Sequence, residues 1–280
     1  MAIRLGENNY GKSRVRLLRV ARQEGRHDIK EVTLAIRFEG DFETAHTKGD
    51  NRKILPTDTM KNTVYVLARQ YPVEAVEDFC LHLIEHFLTY NPQVSSVRVE
   101  ASENLWARIT HGGKPHASAF IRSSEKRTAM VSGTREGNTI RGGIENLVIL
   151  KTTKSGFEGF LRDPYTTLKE DRNRILSTIV RAHWLYEVGD IEFSPIWHGV
   201  RQTILETFAE HDSRSLQQTL YAMGEAVLNS FDHIREIHLS LPNKHFSLVD
   251  LSPFGMDNPA EVFLPTDEPH GSIEATLRKE

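Results

Sequence analysis

The stretch EVTLAIRF, Glu31 to Phe38, sets the architecture. Val32, Leu34, Ile36 and Phe38 alternate with Thr33, Ala35 and Arg37, the period of two in which successive side chains face opposite sides of a sheet. One face is apolar and the other polar, so the segment reads as a half-buried strand. Two helical patterns follow. DTMKNTVYVLARQ opens at a turn and ends before Tyr71-Pro72, because proline pushes the residue ahead of it out of the helical region. VEAVEDFCLHLIEHFLTY sets Val76, Phe79, Leu83 and Phe87 on one face and stops near Asn91-Pro92. VRLLRV (Val15 to Val20) ahead, and SSVRVEA, HASAFIRS and ENLVILKTT behind, read as strands.

The second half repeats this order. RILSTIVRAHWLYE alternates Leu176, Thr178, Val180, Ala182, Trp184 and Tyr186 against Ile175, Ser177, Ile179, Arg181, His183 and Leu185. PIWHGVRQTILETFAEH, anchored by Ile204 and Phe208, and SLQQTLYAMGEAVLN, anchored by Leu216, Leu220, Met223 and Val227, then read as helices. IREIHLSLP and HFSLVDL read as two further strands. Each half is thus β-β-α-α-β-β, an α+β domain with an antiparallel sheet and helices packed on one face. The boundary falls near Arg141-Gly142-Gly143, giving domains 1–142 and 143–280.

Composition narrows the function. A formal net charge of −3 argues against a broad nucleic-acid surface. The single cysteine, Cys80, excludes an intrachain disulfide framework and a cysteine-rich zinc site. No run of 18 apolar residues appears, MAIRLGENNY lacks the apolar core of a signal peptide, and LRKE is no peroxisomal address. These features predict a soluble cytoplasmic protein without a membrane partner.

Three motifs invite chemistry. GENNYGKS, Gly6 to Ser13, spells a phosphate-binding loop, but such a loop follows a core strand and opens a helix, whereas VRLLRV behind it reads as strand. HLIEH, His82 to His86, spells a zinc-peptidase motif, yet His82 and Glu85 fall on the polar face with Glu74 and Asp78, so it reads as a solvated helix face. In ILPTDTMKNTVY, Ile54 to Tyr65, the residues Thr57, Asp58 or Thr59 suit a helix N-cap. The same helix start offers free N–H groups to an anion, and a threonine hydroxyl there can relay protons to a lysine behind it.

Taken together, YGKSRVRLLRV, LPTDTMKNTVY, TTKSGFEGFLRDPYTTLKEDRNRILST and LPNKHF closely resemble the urate oxidase (uricase) family, from about Tyr10 to Phe263. The resemblance implies tandem tunnelling-fold (T-fold) domains assembling as a homotetramer around a β-barrel tunnel, with active sites at subunit interfaces. It implies oxidation of urate by O2 to 5-hydroxyisourate and H2O2, with neither metal nor organic cofactor. Carried over by motif, Lys12 and Thr57 form a proton-relay pair supported by His245. Asn243, with Thr57, lies at the oxygen site. Phe157 stacks on the purine, Arg174 and Gln217 grip its polar edge, and Leu216 and Asp58 contribute backbone contacts. Leu216 stands where the family often has valine. In SLQQT the resemblance assigns Gln217 rather than Gln218.

These residue types suit that chemistry. Urate is flat, electron-rich and anionic near neutral pH. Arginine can donate two parallel charge-assisted hydrogen bonds to its edge, glutamine offers one donor and one acceptor in a plane, and phenylalanine stacks without a competing polar group. With no cofactor the substrate itself supplies the electrons, and the protein promotes its deprotonated form and shuttles protons. A buried Lys12 beside cationic Arg174 is expected to have a lowered pKa and to act as a base through Thr57. The competing readings are a non-catalytic purine-binding oligomer and a metal-dependent T-fold enzyme of purines or pterins, such as a GTP cyclohydrolase.

Overall fold

The computed structural model describes residues 3–187 and 189–280. The chain divides into two compact units. The first runs to Gly143 and takes in Leu185–Trp197; the second comprises Ile144–Trp184 and His198–Glu280.

In the first unit, strands β1 (Tyr10–Gln23) and β2 (Arg26–Gly40) precede α1 (Glu43–Lys48), α2 (Thr57–Gln70) and α3 (Val76–Tyr90), and β3 (Val94–His111) and β4 (Lys114–Gly133) follow. Strand order follows chain order, and β1/β2, β2/β3 and β3/β4 are antiparallel. The alternating side chains Val32, Leu34, Ile36 and Phe38 are all buried, beneath Met60 and Val64 of α2 and Phe79, Leu83 and Phe87 of α3. The Phe38 and Phe87 rings meet edge to face at 5.0 Å. Burying each such side chain contributes roughly 1.5–3 kcal/mol, which is why the hydrophobic period dictates which face meets the helices.

A buried ion pair interrupts this core. Glu77 at the start of α3 and Arg127 of β4 are 0% and 3% exposed, and the guanidinium donates to the carboxylate at 2.5 Å. Arg127 also donates to Ser194 Oγ at 3.0 Å and lies over the Trp197 ring. Burial raises the Glu77 carboxyl from its ordinary value, and Arg127 opposes that rise.

The second unit repeats the plan with β5 (Asn138–Lys151, which starts in the first unit), β6 (Leu176–Tyr186), α4 (Phe193–Glu210), α5 (Leu216–Ser230), β7 (Ile234–Leu248) and β8 (Phe263–Arg278), in sheet order β5-β6-β7-β8. Its core gathers Leu176, Val180, Ala182 and Trp184 with Ile204, Phe208, Leu220, Met223 and Val227. The fold is α+β, with antiparallel strands and helices on one face, as the sequence pattern implies.

The structure departs from the sequence reading in its details. IREIHLSLP and HFSLVDL are not two strands: β7 runs through Pro242, and the ladder to β8 continues across Pro242↔Ser272 and Asn243↔Gly271. Proline lacks a ladder donor and therefore suggested a break. The segments β8 and α1 were not anticipated. Helix α3 starts at Val76 with Ala75 as N-cap, so Val73 lies before it. Among the described residues no helix is long and apolar enough to cross a membrane.

Candidate functional site

In the first unit, Lys12 stands on β1 opposite Ile36, and the pairing register shifts between Lys12 and Val15. Such an irregularity bends a strand and re-aims its side chains. Gly11 allows the approach, since a Cβ there would lie 1.8 Å from the Ile36 carbonyl oxygen. Tyr10 packs edge-on against Phe38 and Phe42, and its hydroxyl accepts the Leu55 N–H at 2.9 Å. That bond ties the segment two residues ahead of Thr57 to the segment two residues ahead of Lys12. The lysine therefore belongs to a strand, with no helix opening behind it for a phosphate loop.

Thr57 is the first residue of α2, and Pro56 is its N-cap without a side-chain capping bond. The capping alternative for Thr57, Asp58 or Thr59 therefore fails: a residue already inside the helix cannot close the turn before it. The half-buried Thr57 makes no side-chain hydrogen bond among the described residues. Asp58 is held below the usual carboxylate range chiefly by Lys61 at 2.5 Å, with Asn62 at 3.1 Å and the charge of Lys12 assisting. Its side chain is thus turned along the helix, leaving its backbone at the helix start, where N–H groups lack intrahelical acceptors.

In the second unit, a long loop and the start of α5 come together. Phe157 and Asp171 exchange backbone hydrogen bonds at 2.6 and 3.2 Å, and the Arg174 N–H donates to the Ser155 carbonyl at 2.7 Å. The Arg174 guanidinium lies 5.2 Å from the centre of the Phe157 ring, and Phe160 stacks on that ring at 5.0 Å. The Arg174 Nε is buried with no hydrogen-bond partner, and burial lowers the guanidinium from its ordinary value, partly offset by Asp171. A buried donor without an acceptor is costly, and functional sites are where such costs are kept.

The loop is clamped to α5 through Ser213, whose N–H donates to the Lys154 carbonyl at 2.9 Å and whose carbonyl accepts from Gly156 at 2.8 Å. Ser215 caps α5, its Oγ accepting the Gln218 N–H at 3.2 Å, while the Gln218 Oε1 accepts the Arg214 N–H at 3.0 Å. This is a variant of the capping box, spelled in the sequence as S-x-x-Q, in which the return bond goes to the residue before the cap. The Gln218 carboxamide is spent on the cap, whereas Gln217 is exposed and makes no such bond among the described residues. Leu216 is buried.

Asn243 and His245 stand on β7, flanking an irregularity where the partners jump from Gly271 to Thr266. The His245 carbonyl accepts from Thr266 Oγ1 at 3.3 Å, and Lys244 pairs with Asp267 at 2.6 Å. Neither the Asn243 side chain nor the His245 ring makes a hydrogen bond among the described residues. The structure thus groups Lys12, Thr57 and Asp58 in one unit and Phe157, Arg174, Leu216 and Gln217 in the other. Sequence reasoning missed the tethers Tyr10, Ser155, Ser213 and Asp171; only the capping box had a local signal.

HLIEH has other engagements: His82 stacks on Tyr71 at 4.3 Å and His86 tilts against Tyr90 at 4.8 Å. No cluster of three or more metal-ligating side chains occurs among the described residues. Cys80 is fully buried, which pushes its thiol well above the ordinary value and suits a small apolar filler.

The uricase family model matches residues 8–132 and 140–274. The uricase of Arthrobacter globiformis is 47% identical over 277 residues, covering 99% of this chain and 90% of that protein. The uricase of Aspergillus flavus is 40% identical over 285 residues, covering 96% of this chain and 94% of that protein. The crystal structure of the Arthrobacter globiformis uricase superposes with a TM-score of 0.94 at 46% identity, covering 100% of this chain and 96% of that one.

Proposed function

The chain belongs to the uricase family and is a urate oxidase, and from that premise we propose how its residues carry the reaction. Urate, O2 and water become 5-hydroxyisourate and H2O2: two electrons leave the purine, O2 accepts them, and water supplies the new hydroxyl. The substrate is the reductant, so the residues assigned here handle binding and protons, with no metal or organic cofactor in the scheme.

Phe157 stacks on the purine. Arg174 donates to the purine edge, Gln217 pairs with a neighbouring N–H and carbonyl, and Leu216 and Asp58 add backbone contacts. The observation that carries this reading is the Arg174–Phe157 pair, with a buried donor awaiting an acceptor, bonded through Ser155 and Ser213 to the helix that starts with Leu216 and Gln217. The engagement of Gln218 in the cap supports Gln217 as the ligand.

Lys12 and Thr57 pass protons, Thr57 being the hydroxyl between lysine and substrate. The Tyr10–Leu55 bond supports this pairing, because it fixes both segments from one anchor. His245 orients the relay, and Asn243 with Thr57 holds O2 or peroxide over the ring. From family membership we place the sites at subunit interfaces of a homotetramer.

The test is loss of the urate ultraviolet band by chelator-treated protein, with peroxide followed in parallel. Matching urate loss and peroxide without added metal is the expected result. Activity that returned only with a metal would overturn the scheme, and urate binding without turnover would mark a non-catalytic purine-binding oligomer.

A further inference from the structure

Behind the proposed clamp, three side chains form a continuous polar chain. The His211 ring Nδ1 lies 3.2 Å from Thr219 Oγ1, Thr219 Oγ1 lies 2.7 Å from Ser213 Oγ, and Ser213 Oγ lies 3.1 Å from the Ser215 carbonyl oxygen. Thr219 and Ser213 are 0% and 1% exposed. We propose that His211, Thr219 and Ser213 are positioning residues that set the geometry of the urate clamp, an inference that rests on the urate reading above.

Thr219 Oγ1 also lies 3.3 Å from the Ser215 carbonyl oxygen, so both hydroxyls reach that carbonyl and each other. The carbonyl can only accept, so at least one hydroxyl proton goes to Ser215, and the His211 Nδ1 donates to or accepts from Thr219 according to its tautomer. Lys151 holds the histidine from the other side, donating to the His211 carbonyl at 2.5 Å and lying 5.3 Å from the centre of the Phe208 ring. Burial and the Lys151 charge lower the His211 pKa, with Asp212 opposing, which favours the neutral ring with one donor and one acceptor nitrogen.

The place where this chain ends makes it more than core satisfaction. Ser213 is the residue whose backbone bonds both Lys154 and Gly156, next to Phe157, and Ser155 in turn receives the Arg174 N–H. Ser215 is the N-cap from which Leu216 and Gln217 project. The hydroxyl chain therefore crosses the junction of the loop bearing Phe157 and Arg174 with the helix bearing Gln217. A planar clamp requires its two arms to be held within about 0.5 Å of the productive geometry, and a misplacement of about 1 Å can cost on the order of 100-fold.

The decisive comparison is Thr219→Val with Thr219→Ser in the full-length protein, because valine keeps the shape and loses the hydroxyl while serine keeps the hydroxyl. Urate affinity is measured by titration without O2, alongside steady-state KM, kcat and thermal unfolding. The valine variant should bind urate about 10- to 100-fold more weakly, with KM rising more than kcat falls. The serine variant should return to within about threefold of wild type on the same scale. A folded valine variant with wild-type affinity would overturn the proposal, whatever its stability. If the valine variant does not fold, Ser213→Ala takes its place, since it leaves the backbone bonds intact and removes only the hydroxyl; unchanged affinity there overturns the proposal equally. Wild-type protein that failed to bind urate would instead overturn the urate reading, and the inference with it.

Discussion

Replacing Arg174 by methionine separates binding from stability at one position. The Arg174 side chain is half-buried, its Nε has no hydrogen-bond partner among the described residues, and its guanidinium lies over the Phe157 ring at 5.2 Å from the centre. The backbone bond to Ser155 does not involve the side chain. A buried unsatisfied donor costs about 1–3 kcal/mol, while a cation–π contact at this distance returns about 0.5–1 kcal/mol. The unliganded protein therefore gains or keeps stability when methionine fills the same stem. Urate binding should move the other way. Losing a buried charged hydrogen-bonding partner costs about 2–5 kcal/mol, or roughly 30-fold to several thousand-fold in Kd. The assay is an equilibrium urate titration without O2, which blocks turnover, paired with chemical denaturation of the free protein. A stability loss above about 1 kcal/mol with unchanged urate affinity would refute the reasoning and make Arg174 a structural residue.

Other consequences can be checked with the same tools. Lys12→Met should abolish most turnover while leaving anaerobic urate binding and assembly intact, and near-wild-type kcat would remove Lys12 from the relay. Arg127→Met strands the Glu77 carboxylate in the core and should cost about 3–5 kcal/mol, read as a lowered denaturant midpoint; adding Glu77→Gln should recover part of it. Because the His211 pKa is lowered in the fold, its contribution to stability is present above the ordinary imidazole range. It is lost as pH falls toward the folded value, since the unfolded chain takes up the proton first. The acid limb of a stability–pH curve should therefore be shallower in His211→Asn, and an unchanged limb would show that the ring titrates alike in both states.

Much of the fold was legible because hydrophobic burial leaves a local period. Val32 to Phe38 alternates, Val76 to Phe87 repeats at helical spacing, and both patterns recur in the second half. The candidate site was proposed only through resemblance: Lys12 on its own spells a phosphate loop, and Thr57 on its own reads as a cap. Context removed the first reading at once, since a strand follows Lys12. The second fell only when Pro56 proved to be the N-cap.

What the sequence determined by itself was the repeated β-β-α-α-β-β plan, because the choice of buried face is written in the alternation of side chains. Tertiary structure alone decided that β7 continues through Pro242 and that Tyr10 anchors Leu55. It also decided that Ser213 joins the loop of Phe157 and Arg174 to the start of α5. Those decisions rest largely on backbone N–H and C=O groups, which nearly every residue carries alike. Such bonds leave no mark in the order of side chains and exist only once the chain has brought distant segments together.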